Sequence, residues 1–260
     1  MYVKQPMAPE GLNNMDALIL AAGYATRLYP LTKNFPKPLL KVGGRSILDR
    51  LVDDLDQIAE IDRIIVVSND TFYQHFVDWK TKSGSPKEIL LLNDGTTNNN
   101  NRLGAVKDIL FTIEKLHEVK DLLVLAGDNV VDFSFGEFIR YAISKNRSCI
   151  CCHHEPSVPA LQKTGVLEAD NDFKVIKLHE KPENPPSHWA VPPFYVYMKK
   201  DFPLIKTSVD NGCKPDAPGN LAGWLSSQTD VYAWPMTGSR YDIGDLKSYE
   251  AVDAIFTNKA

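Results

Sequence analysis

The apolar positions of this chain switch between two periods. Residues 17–21 form a short apolar run that reads as a buried strand. Between 47 and 61, Ile47, Leu48, Leu51, Val52, Leu55, Ile58 and Ala59 recur at helical spacing. A β-branched strand is predicted at 64–67, a helix over 71–82 closed by Gly84 and Pro86, and a strand at 89–92. Residues 93–101 are polar and include four consecutive asparagines, Asn98 to Asn101, which predicts a loop. Helical period returns over 103–116. A fully apolar strand at 122–126, a helix at 136–143 and a strand at 149–152 follow. Strands alternating with helices are joined by crossovers and lie parallel, so this half is predicted to be an open α/β sheet.

The second half changes character. Extended runs at 164–168, 175–179, 194–197 and 231–234 are interrupted by prolines, dense between 182 and 203. They predict a smaller β-rich part appended to the sheet and covering a substrate. A last helix over 246–256 carries Leu246, Tyr249, Val252 and Phe256 on one face and is expected to pack back. The expected organisation is a flexible tail over 1–14, with Met15 as an alternative start, then one domain over 15–260. That domain divides near 150 and 245 into two halves and a closing helix.

Composition narrows the class without naming a function. With 260 residues, 43% hydrophobic and 24% charged, the chain suits a soluble domain with a sizeable core. A net charge of -4 argues against a nucleic-acid partner. No apolar run is long enough to span a membrane, and the first fourteen residues lack the apolar core of a signal peptide. Four cysteines without an export signal imply reduced thiols and the cytoplasm. Three of them crowd Cys149-Ile150-Cys151-Cys152-His153-His154, which lacks the repeated ligand pairs of a structural zinc site. The reading is buried strand cysteines, with Cys149 and Cys151 on one face and Cys152 on the other, before an exposed histidine pair.

Against that acidic background, residues 18–48 stand out. Arg27, Lys33, Lys37, Lys41 and Arg45 occur there, and no acid lies between Asp16 and Asp49. Cations laced with glycine and proline just after a first strand suit phosphate, since backbone amides approach an anion closely beside a glycine. A solvated strand-to-helix loop is the simpler alternative. Neither the Walker pattern nor the dinucleotide-binding glycine fingerprint is present. In open α/β sheets ligands bind at the carboxyl ends of strands. Gly23 and Asp128 both fall at such ends, which is the reason to place them in one site.

The stretches Ala25-Thr26-Arg27-Leu28-Tyr29-Pro30-Leu31-Thr32 and Pro36-Lys37-Pro38-Leu39-Leu40 resemble the signature of the sugar-1-phosphate nucleotidyltransferases. That resemblance implies a Rossmann-like, open, mixed but mainly parallel sheet flanked by helices, of the nucleotide-diphospho-sugar transferase type. Residues 15–150 would hold the nucleotide, 151–245 the acceptor, and 246–260 close the domain. It implies Mg²⁺-dependent joining of a nucleoside triphosphate to a sugar 1-phosphate, with release of pyrophosphate. The attacking phosphate is already ionised, so the work is positioning and charge stabilisation rather than proton removal.

Residue roles follow by matching. Arg27 and Lys37 are the catalytic cations, on the triphosphate and near the α-phosphate. Leu20, Ala22, Gly23, Asn93 and Gly104 lie along the nucleotide. Asp128, in Leu-Val-Leu-Ala-Gly-Asp-Asn, and Asp242, in Arg-Tyr-Asp-Ile-Gly-Asp, match the metal-holding positions. Gly165 would let a sugar approach the backbone, while Glu180 and Lys181 of Glu-Lys-Pro would contact sugar hydroxyls and phosphate. Each has a plainer reading: a helix cap or loop acid, a turn residue beside Gly244, a surface Glu–Lys pair.

The chain departs from the thymidylyl and uridylyl members in placing Asn93 where they carry Gln, and in its longer asparagine-rich connection. Residues 190–194, Ala-Val-Pro-Pro-Phe, differ likewise on the acceptor side. Base and acceptor therefore stay open, as does a homo-oligomeric assembly. The alternatives are a cytidylyltransferase acting on a small phosphorylated alcohol such as phosphocholine, and a regulatory protein that binds nucleotide sugar without turnover. A glycosyltransferase that uses a finished nucleotide sugar is the less favoured reading. No hexapeptide repeat follows the domain.

Overall fold

A computed structural model of the protein describes residues 14–116 and 118–258, so the expected tail lies, except for residue 14, outside the described residues. β1 (Met15–Leu20) leads through two 3-10 turns to the short strands β2 (Lys41–Val42) and β3 (Arg45–Ser46). Then come α1 (Ile47–Gln57), β4 (Ile61–Ser68), α2 (Tyr73–Lys80), β5 (Glu88–Asn93), α3 (Ala105–Lys115), β6 (Asp121–Ala126), β7 (Asn129–Val131), α4 (Gly136–Lys145) and β8 (Cys149–His154). The second half holds α5 (Val158–Leu161), β9 (Gly165–Ala169), β10 (Val175–Glu180), β11 (Trp189–Val191), β12 (Phe194–Tyr197), α6 (Phe202–Thr207), α7 (Pro218–Ser226), β13 (Tyr232–Pro235), β14 (Arg240–Asp242) and α8 (Leu246–Thr257).

Ten strands form one mixed sheet in the order β10-β9-β11-β8-β12-β6-β1-β4-β5, with β13 added alongside β8. β1 runs parallel to β4 and β6, and β4 parallel to β5, as the alternation with helices requires. Side-chain alternation along these strands feeds two cores. Ala17, Ile19, Ile64, Val66, Leu123 and Leu125 meet Leu51 and Leu55 of α1, Phe76 of α2 and Phe138 of α4. Leu18, Ile65, Val67, Leu122 and Val124 meet Val106 and Ile109 of α3, Ile205 of α6 and Leu221 of α7. The sheet is thus buried on both faces, which explains why its central strands read as unbroken apolar runs.

Several boundaries move. The helix expected to run to 61 stops at Gln57, because Ile58 is extended and Ile61 already begins β4. Both residues are buried, so the apolar period continued across a break it could not register. The helix expected at 71–82 is a 3-10 turn over Asp70–Phe72, capped by the Asn69 side chain, followed by α2, which ends at Lys80. The helix expected from 103 begins at Ala105, since Gly104 has a φ of 89° that no helical residue adopts. Residues 194–197 lie inside the main sheet, between β6 and β8, rather than in the appended part. All four are buried, which is what a central strand demands. The extension consists of β9, β10 and β11, and it continues the same sheet.

The cysteines are as read. Cys149 and Cys151 enter one core and Cys152 the other, all three buried, with His154 exposed and His153 half-buried. Burial pushes the Cys149 and Cys152 thiols up to about 12, so they are poor nucleophiles and poor metal ligands. A third small core joins Leu28, Leu40, Val42 and Ile47 to Val130, Ile243 and Val252, with Leu246, Tyr249 and Phe256 packed against it. Through it α8 supports the early basic loop. The Tyr249 hydroxyl donates to the Lys41 carbonyl at 2.8 Å, and Gly43 N donates to Asp253 at 2.8 Å. A side chain at Gly43 would strike the Phe256 backbone at 2.7 Å.

Candidate active site

A cleft of about 470 Å³ opens at the carboxyl ends of the central strands. Its construction starts at β1. Ala21 N donates to the Val67 carbonyl at 2.9 Å, and the buried Asn69 amide donates to the Ala22 carbonyl at 3.0 Å, so the turn leaves the sheet in one fixed direction. A Cβ at Gly23 would meet nothing within 4 Å, so its backbone faces open cleft. Ala25 then takes a left-handed conformation, φ 45°, which costs an L-residue about 1–3 kcal/mol. Thr32, itself buried, holds it by donating its hydroxyl to the Ala25 carbonyl at 2.8 Å. The spacing from Ala25 to Thr32 in the motif is therefore a loop closed on itself, with Arg27 on the cleft and Leu28 in the core beneath.

Pro36 is extended, and Lys37–Leu39 form a tight turn that points Lys37 inward. The Lys37 ammonium is almost wholly buried and donates to Asp128 Oδ2 at 2.6 Å. Asp128 Oδ1 accepts from the Asn129 amide at 2.7 Å. Gly127 sits between β6 and that acid. Its N–H donates to the Leu20 carbonyl at 2.9 Å, and a Cβ there would lie 2.9 Å from the same oxygen and 3.3 Å from Pro38. Gly127 thus allows the ends of β1 and β6 and the Lys37 turn to meet. The sequence reading did not single it out, although its place before Asp128 was the available signal.

Asp242 reaches the same place from the far end of the chain. β14 pairs with β7 and sets Asp242 opposite Asn129, the residue after Asp128. Ile243 N donates to the Asp128 carbonyl at 3.4 Å. Asp242 thus ends β14 beside the turn that carries Asp128 into β7, and both aspartates line the cleft and are partly open to solvent. Each has a cation beside it, Lys37 for Asp128 and Arg240, at 3.5 Å, for Asp242. Two such carboxylates are the donor set Mg²⁺ takes when phosphate oxygens and water complete its shell. The buried Asn129 Oδ1 beside them has no hydrogen-bond partner among the described residues, a further oxygen donor at that spot. No group of three or more His, Cys, Asp or Glu suited to a metal occurs among the described residues, so the protein would supply only part of the shell.

On the other side, Gly165, Glu180 and Tyr195 line the cleft. Side chains at Gly165 or Gly219 would stand 3.7 Å and 3.3 Å from Glu180 Oε2, so both glycines keep space around that carboxylate. Lys181 follows Glu180 with φ 48°, but its side chain is 61% exposed, its ammonium pairs with Glu180 at 3.5 Å, and it is not part of the lining. Arg240 and Lys163 line the cleft instead and had not been picked out as site residues.

The remaining wall comes from residues 94–108. Asn93 does not line the cleft. Its amide donates to Asp70 at 2.7 Å and its oxygen accepts from Gly95 N at 2.9 Å, which ties it into the loop. Asp94 and Asp108 line it, with Arg102, Leu103 and Gly104 between. Burial first, then the neighbouring Asp94, pushes the Asp108 carboxyl up to about 8. Burial also raises Asp94, partly offset by hydrogen bonds from the Thr96 amide and hydroxyl. The first amides of α3 are already used, Ala105 N donating to the Asp216 carbonyl at 3.3 Å and Val106 N to that of Pro215 at 3.0 Å. Of the expected site residues, Leu20, Ala22, Gly23, Arg27, Lys37, Gly104, Asp128, Gly165, Glu180 and Asp242 share the cleft, while Asn93 and Lys181 stand outside it.

Known proteins show the same arrangement of chain. Over 253 residues the sequence is 30% identical to a glucose-1-phosphate adenylyltransferase of Fervidobacterium nodosum, covering 92% of this chain and 60% of that one. Over 247 residues it is 33% identical to the bifunctional protein GlmU of Methanococcus aeolicus, covering 92% and 53%. The chain thus spans little more than half the length of these relatives. A solved structure of UDP-glucose pyrophosphorylase complexed with UDP-glucose superposes with a TM-score of 0.79, covering 95% of this chain and 100% of the other. At 18% identity that likeness speaks for the fold alone. The pattern of the family described as nucleotidyl transferase matches residues 16–259, nearly the whole described chain, and this protein belongs to that family.

Proposed function

We propose that this chain transfers a nucleotidyl group from a nucleoside triphosphate to a sugar 1-phosphate and releases pyrophosphate. The observation that carries the reading is convergence. Arg27, Lys37, Asp128, Glu180 and Asp242 come from distant stretches of sequence and line one cleft at the strand ends. In the reaction an oxygen of the sugar phosphate bonds to the α-phosphorus, and the bond from that phosphorus to the pyrophosphate oxygen breaks.

Arg27, exposed on a braced loop, offers a planar fork to the departing pyrophosphate. Lys37 is fixed by Asp128 and presents a desolvated charge near the α-phosphate, where low dielectric strengthens it. Gly23 lets backbone amides approach the nucleotide. Gly165 and Glu180 take the sugar, and Lys181 stands behind them as a solvated charge. Asp128 and Asp242 would hold Mg²⁺, which when bound offsets phosphate charge and orients the phosphates. The part up to about residue 150 serves the nucleotide, the next part the acceptor, and α8 supports the basic loop. Four buried, unpaired cysteines fit a reducing compartment and a cytoplasmic enzyme. No described helix is long and apolar enough to cross a membrane.

The test is a matrix of five nucleoside triphosphates against phosphorylated acceptors, read by pyrophosphate release. Release that needs both a triphosphate and a sugar 1-phosphate is expected. Release only with phosphocholine-like acceptors would shift the reading to a cytidylyltransferase, and nucleotide-sugar binding without release would make the chain a sensor.

A further inference from the structure

We infer that the carboxyl pair Asp94–Asp108 selects the nucleobase, admitting bases with an exocyclic amino group and rejecting uracil and thymine. The inference rests on the nucleotide reading above and says which triphosphates that cleft takes. β5 and β10 are opposite edges of the sheet, so the Asp94 wall is the far end of the cleft from Glu180. With the phosphate-binding cations between, that wall faces the base.

Its hydrogen-bonding capacity can be counted. The Ala105 and Val106 amides are taken by the Asp216 and Pro215 carbonyls. The Gly104 carbonyl accepts from Asp108 N at 3.0 Å. Asn93 is tied into its loop, and Asp94 Oδ1 accepts from the Thr96 amide at 2.7 Å and hydroxyl at 2.8 Å. Of the carboxyl oxygens on this wall, Asp94 Oδ2 and Asp108 Oδ1 are buried with no donor among the described residues. Asp108 is only 6% exposed, yet it lines the cleft. The two carboxyls interact with each other, and one proton shared between them leaves one net negative charge, with the other oxygen of Asp108 free of any hydrogen bond among the described residues and on the cleft.

Such a pair carries more acceptors than donors. A carboxylate oxygen accepts from the amino group of cytosine, adenine or guanine, the pairing Asp makes with the cytosine amino group in base readout. Uracil and thymine offer two carbonyl oxygens around one N–H, so acceptor meets acceptor and a buried charge stays unpaired.

Equilibrium titration of ATP, CTP, GTP, UTP and dTTP into the full chain needs no acceptor and so tests the pair apart from turnover. The best-bound amino-bearing triphosphate should bind at least about tenfold more tightly than UTP and dTTP, the scale of one base contact. Asp108→Asn keeps one carboxylate and one donor, and should keep that ranking. The double variant Asp94→Asn, Asp108→Asn removes the charge with little change of shape, and should shrink the preference about tenfold while still binding nucleotide. UTP or dTTP binding as tightly as the others in the native chain overturns the inference. So does a double variant with the native ranking, or one weakened equally for all five. If the double variant does not fold, the native ranking decides alone. A native chain that binds none of the five removes the proposed function and this inference together, whereas a changed ranking without turnover removes only the proposed reaction.

Discussion

Two walls of one cleft satisfy their polar groups in different ways. On the phosphate side, around Arg27, Lys37 and Asp128, strained or charged groups are braced locally: Ala25 by Thr32, Lys37 by Asp128, Asp128 by Asn129. On the Asp94–Asp108 side, a buried acid stands beside a half-buried one, and one oxygen of each has no donor among the described residues. The first wall is a preformed cradle for a ligand part common to every nucleoside triphosphate. The second holds unspent acceptor capacity, and is where triphosphates can be told apart. The comparison implies that damage to the phosphate side lowers turnover whatever the base, while damage to the other side shows in stability, pH dependence and nucleotide choice.

The largest expected effect is at Asp128. Asp128→Asn should lower turnover by about two to three orders of magnitude with every nucleotide, as loss of a main electrostatic element does. The thermal melt should fall as well, because the buried Lys37 ammonium loses its counter-ion, so turnover is compared at a temperature where the variant is folded. Unchanged pyrophosphate release would take Asp128 out of the chemistry and leave the phosphate wall without its centre.

Gly104→Ala comes next. The φ of 89° and a Cβ placed 2.6 Å from the Pro215 carbonyl should cost about 1–3 kcal/mol and disturb the base wall. Denaturant melts measure the loss. A variant as stable as the native chain would show that residues 213–219 do not bear on α3 as described.

Asp108→Asn sharpens the contrast through pH. In the folded chain the Asp108 proton is held to about 8, whereas an unfolded aspartate releases it near about 4. Between those values the unfolded state binds fewer protons, so this group makes stability fall as pH rises. The variant should therefore gain in melting temperature over the native chain as pH rises from 4 to 8, with the gap closing toward pH 4. A pH-independent gap would mean that no proton sits between the two acids. The smallest effect belongs to Lys181→Ala, a few-fold rise in the acceptor Michaelis constant with kcat unchanged, since the ammonium is solvated. A rise for the triphosphate alone would place Lys181 on the other wall.

The same contrast explains what was legible in the chain. The basic loop could be read because its residues are consecutive and their spacing is a local device, from Ala25 to Thr32 and from Pro36 to Leu40. Asp128 and Asp242 were visible as acids beside glycines, but their adjacency depends on β7 and β14, three-residue strands too short to give a period. Asn93 is matched to the strand-end Gln of the thymidylyl and uridylyl members, and one residue of offset decides which side chain faces the cleft. Asp108 was hidden by its surroundings: an acid in the first turn of an amphipathic helix reads as a partner for the helix dipole. Its burial depends on residues 213–219 folding over α3 from more than a hundred positions away, which no local pattern announces.

Residues 215–219 have one more consequence. Pro215 and Asp216 sit on the start of α3, and within four residues Gly219 lies beside Glu180. Four residues reach at most about 14 Å when extended, so this tether leaves little slack between the seats of the two substrates. Occupancy of one seat should then be felt at the other, and linkage requires the effect to be mutual: whatever factor the nucleotide adds to acceptor affinity, the acceptor must return.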